Sequence, residues 1–190
     1  MSDCIDLKGR ELPHYVETSP RLNLRLMTEE DSRRIVDWRN EPRVMQNYIY
    51  RKPFTLEGQL QYFREKIATG EVIQFIAEEP SGRPVGCTVL NDFCVKEGHG
   101  EYGMFIGEPD AAGKGYSPLM VKMTLDFAYD VLGLSRIVCR IFTDNVPSWK
   151  GCERGGFRIA GTLPDVECTD GTRKDMYLLE ARKEKRVISL

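Results

Sequence analysis

The chain has 190 residues, 41% hydrophobic and 29% charged, which is enough for one full core and too little for two well-sized ones. Its 27 basic side chains face 29 acidic ones, for a formal charge of −2, so bulk attraction to nucleic acid is excluded as the main business of this surface. No stretch approaches the ~20 apolar residues that span a bilayer, and "MSDCIDLKGRELPHY" lacks an apolar signal core, so we expect no membrane partner and a cytoplasmic protein.

The expected elements run as follows. Residues 1–16 are polar and broken by Pro13, and read as an N-terminal arm; residues 17–190 read as a single domain. Leu22, Leu24 and Leu26 alternate with polar residues as in a half-buried strand. Thr28 and Asp31 form a capping-box pattern ahead of a short helix carrying Ile35 and Trp38. A second helix starts at Thr55, since Leu56, Leu60, Phe63 and Ile67 recur at helical spacing and Gly70 stops the run. "EVIQFIAEE" and "RPVGCTVLND" flank the turn Pro80-Ser81-Gly82 and predict a hairpin, with "EYGMFIGE" as the next strand. "LMVKMTLDFAYDVLGL" is a helix with one broad apolar face, "SRIVCRIF" a strand, and "NVPSWKGCERGGF" a short helix capped by Asn145. "FRIAGTL" and "DMYLLEAR" close the chain as strands. Hairpins first and alternation later predict a mixed sheet flanked by helices.

The six cysteines, at 4, 87, 94, 139, 152 and 168, show no C-x-x-C pair and no metal-ligand spacing, so free thiols and no metal are expected.

The stretch "DAAGKGYSPLM" places two glycines around a lysine between a strand and a helix. A Walker A loop needs four residues before its Gly-Lys pair, but five separate Gly107 from Gly113, and Gly115 stands where Ser or Thr should hold the metal. A dinucleotide fingerprint fails because Pro118 occupies the place of its third small residue. A helix start with glycines remains an anion site by its free amides and dipole, or else an ordinary tight β-to-α connection. Pro118 fixes the helix start near Gly115 or Tyr116, because proline costs no helical hydrogen bond only in the first turn.

Together these stretches resemble the GNAT N-acetyltransferase superfamily. Asp110-Ala111-Ala112-Gly113-Lys114-Gly115 matches its Gln/Arg-x-x-Gly-x-Gly/Ala motif, with Asp110 in place of Gln or Arg. "ETSPRLNLRLMTEEDS", "EYGMFIG" and "LGLSRIVCRIFTDNVPSWKGCERGGFRIAG" are similar to the opening, fourth-strand and closing segments of the subgroup that includes the ribosomal-protein N-terminal acetyltransferases. The resemblance covers roughly residues 17–181. It implies an α/β (α+β) GNAT fold: a mixed, mostly antiparallel sheet of six to seven strands, splayed between strands 4 and 5, with about four helices.

It also implies an acetyl-CoA-dependent N-acetyltransferase that moves the acetyl group directly to a primary amine in a ternary complex. A non-catalytic acyl-CoA-binding or regulatory module is the alternative. Backbone groups of Met104, Phe105 and Ile106 would meet the pantetheine arm, and the amides of Ala112, Gly113, Lys114 and Gly115 the diphosphate, with Asn145 opposite. Glu101 would be the general base, preferred over His99 and Asp92. The family's tyrosine acid falls on Cys152, with Ser148 as the competing donor. The acceptor would be a small-molecule or peptide amine, bound by "WRNEPRVMQNYIYRKPF" and "PDVECTDGTRKD", where Trp38, Tyr48, Tyr50 and Phe54 are either wall or core. A homodimer fits the same reading.

Overall fold

The alternating leucines do open a sheet. The computed structural model describes residues 13–183, and in it Asn23–Leu26 forms β2, between the two-residue β1 (Glu17–Thr18) and β3 (Ile73–Glu78). Leu22 and Leu24 are fully buried. Residues 1–12 of the expected arm lie outside the described residues. At its end the Val16 amide already donates to the Leu24 carbonyl at 2.8 Å, and its side chain packs on the core.

Asp31 accepts from the Thr28 amide at 2.8 Å as the capping pattern requires, closing a 3-10 turn before α1 (Ser32–Asn40). Pro42 at a first helical turn then starts α2 (Pro42–Met45), a break the sequence reading did not separate from the first helix. Thr55 caps α3 (Leu56–Tyr62) by accepting from Gly58 at 3.1 Å, and the run continues as a π-helical turn, Phe63–Ile67.

The hairpin around Pro80-Ser81-Gly82 joins β3 to β4 (Pro84–Cys94), which pairs with β5 (His99–Ile106). Then follow α4 (Tyr116–Asp130), β6 (Arg136–Phe142), α5 (Val146–Gly155), β7 (Arg158–Glu167) and β8 (Arg173–Arg182). The sheet order is β1-β2-β3-β4-β5-β6-β8-β7, so the described residues hold eight strands and five α-helices. Every pairing is antiparallel except β5 with β6. That parallel contact has three residue pairs only: His99 with Arg136, Gly100 with Ile137, and Glu101 with Val138. Beyond Glu101 the strands diverge, which is the expected splay, one strand later in this numbering because of β1.

α4 and α5 cover one face of the sheet over Phe75, Phe127, Leu134, Ile137 and Leu179, all fully buried, where each large side chain contributes roughly 1.5–3 kcal/mol. α1 covers the other face with Ile35 and Trp38 on Ile76 and Cys87. The two helices on the first face meet through glycine: a Cβ on Gly155 would lie 2.4 Å from Val121, and one on Gly151 2.9 Å from Ser117. This draws α5 against the start of α4.

Candidate active site

The glycine turn lies at the mouth of the fork. Gly113 and Gly115 take φ of +77° and +75°, the left-handed region that side chains avoid. Pro109–Ala111 forms a 3-10 turn, and α4 begins at Tyr116, as Pro118 predicts. The Ala112 amide donates to the Pro109 carbonyl at 3.2 Å and the Lys114 amide to Ala111 at 3.4 Å. These two bonds close the turn at residues that were expected to meet a phosphate. Among the described residues no acceptor serves the amides of Gly113, Gly115, Tyr116 and Ser117, and no side chain caps α4, so four donors stand open at the helix start.

Asp110 does not confront that set unpartnered. Arg83 donates to both its oxygens, at 3.0 and 2.5 Å, and this hydrogen-bonded partner holds the Asp110 carboxyl below its ordinary value. Lys114 Nζ stands 3.6 Å from both Asp110 and Glu79, and the Arg21 guanidinium donates to the Lys114 carbonyl.

Deeper in the fork, alternation along β5 sends Glu101, Gly103 and Phe105 to the α1 face and Tyr102 and Met104 to the α4–α5 face. Glu101 is an ion pair in this structure. Arg140 of β6 donates Nε to one of its oxygens at 2.9 Å and Nη2 to the other at 3.0 Å, straddling the point of divergence. Of the carboxylates it was weighed against and the nearby histidine, Asp92 is exposed on a strand irregularity, and His99 lies 3.5 Å from Glu97 at an exposed strand end.

On the opposite face, Cys152 is 1% exposed and hydrogen-bonded with Cys139, a contact that, with burial, pushes the Cys139 thiol well up. Among the described residues the Tyr102 hydroxyl, buried there, has no hydrogen-bond partner, and burial raises its pKa well above the usual tyrosine value. Ser148 is half-buried on the first turns of α5. Asn145 was expected to cap this helix, and it does not. Its φ and ψ of −82° and 61° are not the extended conformation a cap needs, and its side chain makes no cap bond. The amide of its side chain is left half-buried on the far side of the fork.

Met104 and Phe105 reach the free part of β5, and at its end Arg43 Nη1 donates to the Ile106 carbonyl at 3.1 Å, while Nη2 binds the Gly107 carbonyl. Met104 and Phe105 also line a cavity of about 480 Å³ on the α1–α3 side, the size of a small-molecule site. Tyr48, Tyr50 and Phe54 form an aromatic wall of it, while Trp38 is core and donates Nε1–H to Glu108 at 3.0 Å. Asn40 pins that wall, donating to the Phe54 carbonyl at 2.9 Å and accepting from its amide at 2.7 Å. The late loop closes over the same segment through Thr169 N–H to the Ile49 carbonyl at 2.9 Å and Arg51 to Asp170 at 3.0 Å. Among the described residues no group of three or more His, Cys, Asp or Glu could hold a metal, and no helix is long and apolar enough to cross a membrane.

Sequence reasoning missed Arg83, Arg140, Tyr102 and Arg39. A tyrosine in the alternation opposite Glu101 was the one available signal; the arginines act on partners far away in sequence.

A mixed sheet that forks beside a glycine turn and an apolar cavity defines the acetyltransferase class of α/β proteins. The profile described as Acetyltransferase (GNAT) domain matches residues 21–158, and the chain belongs to this family of N-acetyltransferases. An N-acetyltransferase of Bacillus licheniformis called p20, itself uncharacterised, is 27% identical over 170 residues, 87% of this chain and 94% of its own. The spermidine N(1)-acetyltransferase of Vibrio cholerae is 23% identical over 166 residues, 85% and 95% of the two chains. A crystal structure of the spermidine N-acetyltransferase of V. cholerae with CoA and spermine matches with a TM-score of 0.79 at 20% identity, covering 86% of this chain and 96% of that one. Its dodecameric form matches at 0.76, covering 90% and 98%.

Proposed function

We propose that this enzyme uses acetyl-CoA and acetylates a primary amine by direct transfer in a ternary complex. The observation that carries the reading is the fork: β5 and β6 pair over three residues and then part, and the unpaired amides of Gly113, Gly115, Tyr116 and Ser117 lie at the open end. The residues fit the cosubstrate. Free strand edge at Met104 and Phe105 suits the pantetheine amides, the glycine turn suits the diphosphate, and the Asn145 amide suits the other wall. When bound, acetyl-CoA supplies the activated acyl group and a thiolate leaving group.

The two faces of β5 divide the proton work. Glu101 stands on the cavity side, where an incoming amine must lose a proton. With Arg140 on two of its lone pairs, it retains others for a bridging water. A lysine-like amine, with a pKa of about 10.4, needs that help more than an α-amine near 7.7–8.0. Ser148 and Cys152 stand on the α5 side as donors to the departing thiolate. The Tyr102 hydroxyl, without a hydrogen-bond partner among the described residues, stands on the same side as a hydrogen-bond donor to that thiolate.

A thiol-release assay over an amine panel, with calorimetry on acetyl-CoA and CoA, tests this. Intersecting initial-rate lines support a ternary complex, parallel lines refute it, and binding without turnover leaves the non-catalytic module. If Glu101→Gln leaves the pH profile of kcat/KM unchanged, Glu101 is not the base. On the same footing we place the enzyme in the cytosol, among the ribosomal-protein N-terminal acetyltransferase-like subgroup, with assembly as a homodimer or larger.

A further inference from the structure

The cavity beside β5 has one charged side chain among its described lining residues, and it is a cation. Arg39, in the last turn of α1, is 8% exposed, and among the described residues no carboxylate pairs with it. Its guanidinium carbon lies 3.2 Å from the centroid of the Tyr48 ring and 4.6 Å from that of Phe54, within cation–π reach of both. Aromatic faces compensate a buried cation only in part, because stacking returns less than the desolvation of the charge costs. Two half-buried arginines have oxygen partners: Arg43 is held by the carbonyls of Ile106 and Gly107. Arg25, comparably enclosed, has both Asp31 and Glu78 at 2.7 Å. Arg39 therefore has the electrostatics of a site that awaits an anion.

Two glutamines are the other buried polar side chains of the lining. Gln59 and Gln74 are 4% and 7% exposed and both line the cavity, and among the described residues the Gln59 side-chain nitrogen has no hydrogen-bond partner. Apart from Thr55 and Cys87, the other lining side chains are aromatic or aliphatic, including Ile35, Tyr62 and Val89. Such a lining repels a polyamine, whose second ammonium would sit beside a guanidinium in a low-dielectric wall with no carboxylate to offset it.

Resting on the acetyl-transfer reading above, we infer that the acceptor is a small amino acid: a primary amine with an apolar or aromatic body and an anionic head held by Arg39. The planar fork of Arg39 matches a carboxylate bidentately, the rings of Tyr48, Tyr50 and Phe54 take the body, and the amine is left toward β5 and the fork.

The experiment measures binding first and turnover second, on the full chain saturated with CoA or acetyl-CoA. L-Phenylalanine, L-leucine and L-methionine are compared by calorimetry with their amides, with the aminophosphonate analogue of phenylalanine, and with spermidine. The acids should bind at least tenfold more tightly than the amides, which stand for peptide N-termini, and spermidine should bind more weakly still. The phosphonate arm decides whether the head is a carboxylate or a bulkier anion, and either preference over the amide supports the site. In Arg39→Met the acid-to-amide ratio should collapse toward one. In Arg39→Lys, which keeps the charge without the fork, it should be intermediate, and this variant serves if the first does not fold. Amides or spermidine binding as well as the acids, or a preference that survives Arg39→Met, overturns the inference. No thiol release from any tightly bound acid would instead count against acetyl transfer, while the binding ratio still decides the role of Arg39.

Discussion

Arg83 closes on Asp110 with two hydrogen bonds, at 3.0 and 2.5 Å, across the hairpin turn and the glycine turn. The Asp110 carboxylate of the glycine turn is thus paired where it stands, and the same guanidinium also lies 3.6 Å from Glu79 and 3.7 Å from Glu108. Arg83→Gln should release an acidic cluster toward the diphosphate and weaken CoA roughly fivefold at low ionic strength, less in salt. Asp110→Gln should not weaken it. Calorimetry at two salt concentrations checks both; equal affinity in all three proteins would remove Arg83 from the site.

Tyr102 gives a test in which stability and activity move apart. Among the described residues its buried hydroxyl has no partner, so Tyr102→Phe should leave stability unchanged or raise it by up to about 1 kcal/mol. If the hydroxyl meets the leaving thiolate, kcat should nevertheless fall by at least tenfold, with little change in the KM for acetyl-CoA. Urea unfolding and steady-state rates read the two effects separately.

Gly107 marks where β5 ends against α1. A Cβ there would fall 2.1 Å from the Trp38 ring, which cannot yield while it is clamped to Glu108. Gly107→Ala should cost about 1–3 kcal/mol by overpacking, seen as a lowered Tm, and acetyl-CoA should recover part of it.

Asp31 sets an acid limit. Burial opposes its ionisation, but the hydrogen bonds from Arg25 prevail and hold its carboxyl below the ordinary value. A carboxyl lower in the folded chain than in the unfolded one contributes fully above about pH 4 and loses that contribution as pH falls through the folded value. Urea midpoints of the wild type should therefore drop below about pH 4. Asp31→Asn should be less stable by about 3 kcal/mol at pH 7, with a shallower acid slope.

The strands and their order were readable because apolar alternation and hairpin turns are local signals: Leu22 and Leu24 are buried as their pattern says, and Pro118 places the start of α4. The fork was not readable from periodicity, since a three-pair parallel contact is a tertiary fact, and it entered through resemblance alone. Asn145 shows how a correct boundary can carry a wrong reason: the helix starts there, but the backbone angles deny the cap. Arg39 stands in the last turn of α1, where any cation is favoured, so nothing local in the sequence marks it. Its burial arises because Tyr48 and Phe54 fold back over it, held by Asn40.

The three-pair contact between β5 and β6 makes this less one sheet than two panels, β1 to β5 and β6 to β8, stitched along a short seam with Glu101 and Arg140 as its last stitch. A thin molecule laid into the gap supplies the missing rungs. Backbone amides of Met104 through Ile106 and of Cys139 through Phe142, on facing banks, should then slow their hydrogen exchange together when acetyl-CoA binds, so that the cosubstrate acts as a temporary ninth strand.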